Sequence, residues 1–508
     1  MSCKRWFPVI LFLLAGQAGI SQKIIYSEPD RDDSRRMNFE IVGKVGGNFM
    51  IYKNTRNKYW MTAYDNDMKQ VSKTEMDYIP ANDRLINIDF FPYPDHVYMV
   101  YQYQKKNIIH CMAAKLDATG KLSGEVQELD TTQLGFTSDN KIYTAITSDD
   151  KSKISVFKIN SRNKRNFLMT TLLLNDKLEV LKKNRYAIPM EERNDYLNEF
   201  YVDNEGDLVF CKFTRGNNDN INHGTLYIKK AMEDSLFTHD LDLTGIWLDE
   251  IKIKIDNFNK RYFLTAFYYK ESRGNIDGLY FFAWDKVKGE AALQSTSSFP
   301  EDLRREARGE SGVKMAFNDY FIRHVITRRD GGFIIGSEAY YTTSRFNNWN
   351  RWDYLYGSPY LSSYNSPYYS PYYSNYLWNN RINSSQAVRY HADHITVLSF
   401  SKTGEVEWRT VLAKSQFDDE SDELVSYQLM NTGGSLHFLY NEQERRNNLL
   451  SDYSISPEGV MTRNPTLKNL DKGYDFMAKF GKQVSARQMI IPCYYLTNQV
   501  CFAKLEYN

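Results

Sequence analysis

The sequence predicts an all-β fold assembled from repeated four-strand units, and three observations predict it. Between Leu424 and Leu467 four strand-like segments follow one another: Leu424–Met430, Ser435–Tyr440, Leu449–Ile455 and Val460–Leu467. Turn formers separate them, namely Asn431-Thr432-Gly433-Gly434, Arg445-Arg446-Asn447-Asn448 and Ser456-Pro457-Glu458-Gly459. Short apolar-and-polar segments bounded by such residues read as strands joined by hairpins. The same unit recurs at intervals of roughly fifty residues, the period of propeller arrays. The chain also carries 38 Tyr and 29 Phe, side chains that suit a pleated, half-buried surface. The expected architecture is a closed β-propeller of about eight four-stranded blades, with seven as the alternative count.

Taken in order, residues 1–21 read as a secretory signal peptide. Lys4 and Arg5 form its positive region, Trp6 to Ala15 its apolar run, and Gly16, Ala18, Gly19 and Ser21 offer cleavage points. Residues 22–508 read as one β-propeller domain. Lys23–Glu28 is an isolated strand. Full units follow from about Phe39 to Ile79, Leu85 to Leu129, Lys141 to Ile188, Tyr196 to Leu243, Asp249 to Phe299, Tyr320 to Leu412 and Leu424 to Leu467. Glu301–Glu310, free of β-branched residues, is expected as a short helix with Arg304, Arg305 and Arg308 on its exposed side. The last unit has only three strands, Phe476–Gln483, Met489–Tyr495 and Val500–Leu505. Its missing fourth strand is expected to be Lys23–Glu28, because pairing the chain ends removes the free sheet edges that template aggregation.

Several units share a turn before their last strand: Asp117 to Gly120, Asp285 to Gly289, Ser401 to Gly404 and Ser456 to Gly459. Asp or Ser can bond the backbone two residues on, and Gly accepts a positive φ. On these turns the chain resembles secreted β-propeller proteins of unknown function from Gram-negative bacteria of the Bacteroidota type. That resemblance implies fold and export, and carries no catalytic residues with it.

A formal charge of +1 argues against a nucleic-acid partner, which needs a basic face to displace counterions. No stretch approaches ~18 uninterrupted apolar residues, so no transmembrane span is expected. No Gly-x-Ser-x-Gly, His-Glu-x-x-His, phosphate loop, dinucleotide fingerprint or Cys-x-x-Cys occurs, so no cofactor, metal or catalytic residue is assigned. His391, Asp393 and His394, and the acidic run Asp418 to Glu423, read as surface polar residues rather than metal ligands. Asp89, Asp249 and Glu250 lie in or near first strands, which line a propeller's channel; they are the carboxylate candidates, and channel-facing polarity is their plainer reading. Cys493 and Cys501 flank a hairpin around Thr497, where a cross-strand disulfide would form if the register is symmetric; a shift of one residue would separate them.

The most individual stretch interrupts the sixth unit between Thr342 and Arg389. It holds Trp349, Trp352 and Trp378 around a Ser-Pro-Tyr run that includes Tyr368, Tyr369, Tyr372 and Tyr373. Ser-Pro pairs break regular structure, and tyrosine with Ser and Asn is the chemistry of adaptable binding loops. These seven aromatics are the expected binding residues. The functional expectation is an exported, non-enzymatic binding or scaffold module that contacts a protein or glycan partner at the cell envelope or outside. The alternative is a glycan-active hydrolase or lyase with its site at the channel mouth.

Overall fold

The computed structural model describes residues 22–507, apart from 31–36, 56–57, 81–83, 136–140, 164, 193, 217–219, 273, 309–316, 345–350, 352–387, 420, 445–446, 466–472 and 497–498. Residues 1–21, expected to be a signal peptide, lie outside the described residues, as do Trp349, Trp352, Tyr368, Tyr369, Tyr372, Tyr373 and Trp378.

The described chain is all-β, with a single α-helix. A short strand β1 (Gln22–Tyr26) precedes β2–β5 (Met37–Val45, Asn48–Thr55, Lys58–Tyr64, Gln70–Glu75) and β6–β9 (Arg84–Pro92, His96–Lys105, Ile108–Asp117, Gln127–Gln133). Then come β10–β13 (Tyr143–Thr147, Lys153–Asn163, Asn166–Asn175, Val180–Pro189) and β14–β17 (Asp195–Val202, Leu208–Arg215, Ile221–Lys229, Leu236–Asp240). The two-residue β18 (Trp247–Leu248) leads into β19–β22 (Lys252–Asp256, Arg261–Tyr269, Gly278–Asp285, Glu290–Ser298) and α1 (Glu301–Arg308). The chain ends with β23–β26 (Tyr320–Thr327, Phe333–Ser344, Val388–Phe400, Val406–Asp418), β27–β30 (Tyr427–Asn431, Leu436–Glu444, Asn447–Ile455, Met461–Arg463) and β31–β34 (Tyr474–Phe476, Lys482–Ser485, Gln488–Tyr495, Gln499–Tyr507).

Most of these groups are antiparallel sheets of four strands in sequence order, a propeller-like arrangement. The fourth and fifth units, expected to be separate, are joined: β18 bridges β16 and β20, making one nine-stranded sheet. β1 pairs antiparallel with β34, from Gln22 opposite Tyr507 to Tyr26 opposite Ala503, so the last sheet takes a strand from the other end of the chain. Backbone bonds from Ser27 to Phe502 (2.9 Å) and Asp30 to Val500 (2.8 Å) extend that seam.

The expected turns form as their chemistry requires. Asp117 Oδ1 accepts the backbone N–H of Thr119 at 2.8 Å, and Gly120 follows at φ +82°. At Gly459 (φ +83°) a Cβ would stand 2.6 Å from the Trp408 ring, so glycine is required twice over. Helix α1 also forms: Glu301 and Asp302 occupy its first turn, Arg305 and Arg308 its last, matching the helix dipole.

The core lies between sheets. Phe157 and Met169 of one sheet meet Phe200 and Phe210 of the next, and Phe281 meets Phe333 and Phe400 across another boundary. Ile41, Phe49 and Tyr64 of the first sheet pack on Ile490, Val500 and Phe502 of the last. Face-to-face packing at each boundary leaves the first strands of successive sheets beside one another: β2 lies against β6 and β32, and β19 against β14 and β23.

Candidate functional site

Those first strands place charged groups where the surrounding residues are apolar, and irregular pairing aims them. Register shifts occur in β2 between Ile41 and Gly43, in β6 between Leu85 and Asn87, in β14 between Asn198 and Tyr201, and in β23 between Ile322 and His324. A bulge bends its strand and re-aims side chains. At the β14 irregularity Glu199 adopts φ +59°, a conformation that costs free energy for any side chain with a Cβ.

Glu40 on β2 is the group with the most distinctive chemistry. It is only 8% exposed, and no described residue hydrogen-bonds or ion-pairs its carboxyl. Burial pushes its pKa up to about 7; nearby Asp89 adds to the rise, while Lys482 and Lys141 oppose it. Lys482 on β32, partly buried, donates to the Val42 carbonyl at 3.1 Å. Burial holds the Lys482 ammonium below the ordinary lysine range, with Glu40 pulling the other way. Lys141 grips both oxygens of Asp89 at 3.0 Å, and Asn87 donates to the same carboxylate at 2.8 Å. The group therefore combines a carboxyl whose pKa burial raises to about 7, a lysine that opposes that rise electrostatically, and a second carboxylate held by a cation and an amide.

A second group sits on β14 and β19. Lys252 stands 2.5 Å from Glu250 and 3.7 Å from Glu199. Glu199 also accepts the backbone N–H of Ile253 at 2.9 Å and the Tyr201 hydroxyl at 3.1 Å. Burial raises the Glu199 carboxyl, and Lys252 counters it. Here both carboxylates are engaged, so the group reads as a brace between strands.

The structure thus separates the three expected carboxylates. Asp89 belongs to the Glu40 group and Glu250 to the Lys252 brace. Asp249 does not face an open channel. It is buried against Arg351, whose Nε donates to it at 3.0 Å while the guanidinium lies 3.9 Å from the Phe321 ring centre. Sequence reasoning passed over Glu40, Glu199, Lys252 and Lys482. The available signal was a charged residue inside an otherwise apolar first strand, as in Phe39-Glu40-Ile41.

The other polar clusters are structural. Asp203, Glu205 and Asp207 come close enough to hold a metal ion, but Lys286 Nζ sits among them, 2.6 Å from Glu205 and 3.1 Å from Asp207. The Tyr262 hydroxyl donates to Asp203 at 2.8 Å, so the cluster is already neutralised and tied to β20. His391 and Asp393 contact Thr343 and Tyr341 within their own sheet, and His394 meets the Lys414 carbonyl. The acidic run is less solvated than expected: Asp419 pairs with Arg389 at 2.6 Å, Asp422 with Lys479 at 2.9 Å, and Glu423 accepts the Tyr494 hydroxyl at 2.6 Å.

No protein-family profile matches this chain. No curated protein matches it either. Solved structures align with much of its length at low similarity. An ulvan lyase of a polysaccharide lyase family, bound to -[GlcA(1-4)Rha3S]-, is 9% identical over 81% of this chain and 90% of its own, with a TM-score of 0.35. Prolyl oligopeptidase B from Galerina marginata is 10% identical over 91% of this chain, with a TM-score of 0.41. This chain covers 55% of the oligopeptidase, about half its length. Both of those proteins are enzymes and neither is a binding or scaffold module, so the expectation of a non-enzymatic binding or scaffold protein finds no support among them. That expectation rested on missing local motifs, and a site assembled from separate sheets leaves no such motif.

Proposed function

We propose that this chain is an exported glycan-active hydrolase or lyase, a closed propeller of eight blades whose acid–base site is the Glu40 group in the channel. The observation that carries the reading is Glu40 itself: a carboxyl only 8% exposed, without a hydrogen-bond or ion-pair partner among the described residues, pushed up to about 7 by burial and acted on by Lys482, Asp89 and Lys141. A carboxyl poised near the working pH is suited to donate a proton to a glycosidic oxygen and to take one back. Asp89, fixed by Lys141 and Asn87, is the second carboxylate, available to orient water or to stabilise positive charge developing on the sugar ring. A wall of carboxyl, ammonium and amide groups suits a polyhydroxylated chain better than an apolar ligand. Eight blades and closure are supported by the eight runs of strands, the β1–β34 seam and the packing of the last sheet on the first.

The aromatics of the insertion complete the proposal. Arg351, inside it, reaches Asp249 and the Asn318 carbonyl, which immediately precede β19 and β23. Arg351 therefore anchors to the segments that lead into β19 and β23. Trp349, Trp352, Tyr368, Tyr369, Tyr372, Tyr373 and Trp378 are the proposed sugar-stacking residues. Replacing 358–376 with a short Gly-Asn turn should leave the melting temperature within a few degrees, because loop-closure entropy changes slowly with length. The same replacement should raise KM for a polymeric substrate while sparing a short one. An unchanged KM on polymer would remove these aromatics from the proposal.

The decisive test takes the chain from residue 22 against neutral and uronate-containing polysaccharides, reading new reducing ends and the ultraviolet absorbance of unsaturated products. Glu40→Gln should lower kcat by about 10²–10⁴-fold and erase the limb of the pH profile near 7. The variant also has a stability signature. The pKa of Glu40 is raised from 4.5 to about 7, so its contribution to stability is intact below the lower value and lost as pH rises through the upper one. Glu40→Gln should therefore be more stable than the parent at pH 8, by on the order of 3 kcal/mol, and no more stable at pH 4. A variant that keeps full activity and the same pH profile would end the assignment. So would a parent that cleaves no glycan in the panel.

A further inference from the structure

Cys493 and Cys501 stand directly opposite each other in the β33–β34 pair. Their sulfurs are 2.8 Å apart, and both side chains are fully buried beside Phe476, Met489 and Ile491, in the layer between the last two sheets. Opposed residues of an antiparallel pair have Cα atoms about 4.5–5.5 Å apart, inside the roughly 4.4–6.8 Å that a disulfide spans. No backbone movement is needed to join them. Facing thiols could instead hold a soft metal ion, but that needs further ligands. Among the described residues no third His, Cys, Asp or Glu completes a metal-holding group with them; the one such group is Asp203, Glu205 and Asp207. Cys111 and Cys211 lie in other sheets, each in a different interior cluster.

We propose that Cys493 and Cys501 are a redox modification site, joined as a disulfide in the oxidised protein, where they staple the hairpin that receives β1. The oxidant is a low-molecular-weight disulfide of the glutathione class. One cysteine thiolate attacks a sulfur of that disulfide, forming a mixed disulfide and expelling one glutathione thiolate. The second cysteine thiolate then attacks the protein sulfur and expels the other. Two cysteine thiols lose two electrons and two protons, and one disulfide becomes two thiols.

Burial orders these events. It raises the Cys493 thiol well above its ordinary range, suppressing the nucleophile once the sheets have packed. Exchange therefore belongs to the open hairpin, before the last sheet closes on its neighbour. After closure the same burial shields the bridge from reductant.

The test uses the full chain from residue 22, incubated with oxidised glutathione at a urea concentration just below the unfolding midpoint, then diluted back. The protein is unfolded without reductant, treated with iodoacetamide and mapped by mass spectrometry. The expected result is a species lighter by two hydrogens, with Cys493 and Cys501 unmodified and Cys111 and Cys211 alkylated. Dithiothreitol should open the bridge at least tenfold more slowly in the native protein than in denaturant. Cys501→Ser should leave Cys493 carrying glutathione as a stable mixed disulfide. Full alkylation of both residues in the parent would overturn the proposal. So would a bridge to Cys111 or Cys211, or native-state reduction as fast as in denaturant.

Discussion

A chain that begins at residue 31 instead of 22 unfolds at lower denaturant than the longer form and aggregates as its concentration rises. The segment removed is short, but it supplies the strand that pairs with β34. β1 covers one edge of β34 from Ala503 to Tyr507, and Ser27 and Asp30 continue the backbone bonding to Phe502 and Val500. Ile24 and Tyr26 pack on the core between the last two sheets, and Ile25 on the core between the last and the first. At the far end of the seam the fully buried Asp452 accepts hydrogen bonds from Gln22, from the Tyr507 hydroxyl at 2.9 Å and from His437 at 3.0 Å. Asp30 also pairs with the buried Lys53 at 2.5 Å. Losing the apolar burial alone costs on the order of 5 kcal/mol, and leaving Lys53 and Asp452 short of partners adds to it. The bared edge of β34 then templates pairing with other chains. Equilibrium unfolding and light scattering on the two forms check this. Matching midpoints and no scattering would show that β1 is dispensable.

Arg351→Ala should destabilise the protein by about 3–5 kcal/mol, the cost of leaving one partner of a buried ion pair alone. Arg351 and Asp249 are both nearly fully buried, and the guanidinium also packs on Phe321. The pH dependence distinguishes lost charge pairing from lost packing. Burial already raises the Asp249 carboxyl, and Arg351 opposes that rise. Without Arg351 the pKa rises further, so the deficit should be largest at neutral pH and shrink as falling pH protonates Asp249. Asp249→Asn in the Arg351→Ala background should recover part of the loss at neutral pH. Urea unfolding of the parent and both variants at two pH values measures each quantity. A deficit independent of pH and unrelieved by the second change would assign the role to packing on Phe321. The same pair sets a limit on trimming the insertion: residues 358–376 are candidates for removal, and Arg351 is not.

What the sequence determined by itself is what short-range chemistry controls. The turn at Asp117 to Gly120 was legible because its Asx hydrogen bond and its positive φ are local properties of four residues. The strands on either side were legible from alternation, and the unpaired Lys23–Glu28 could be matched to a last unit one strand short. The hairpin around Thr497 left two registers open for Cys493 and Cys501, and the structure has the one that places them opposite each other. The tertiary structure alone decided the rest, because each case depends on partners far apart in the chain. β18 fuses two units through a pair of residues too short to leave a pattern. Asp249 is an anchor and not a channel group because an arginine 102 residues away reaches it. Glu40 stands out in its strand only as a charge between Phe39 and Ile41. Its carboxyl is tuned by burial beneath neighbouring sheets and by Lys482, whose ammonium is bonded to a strand 440 residues away in sequence. Desolvation and Coulomb interactions depend on distance in space, which sequence spacing does not record.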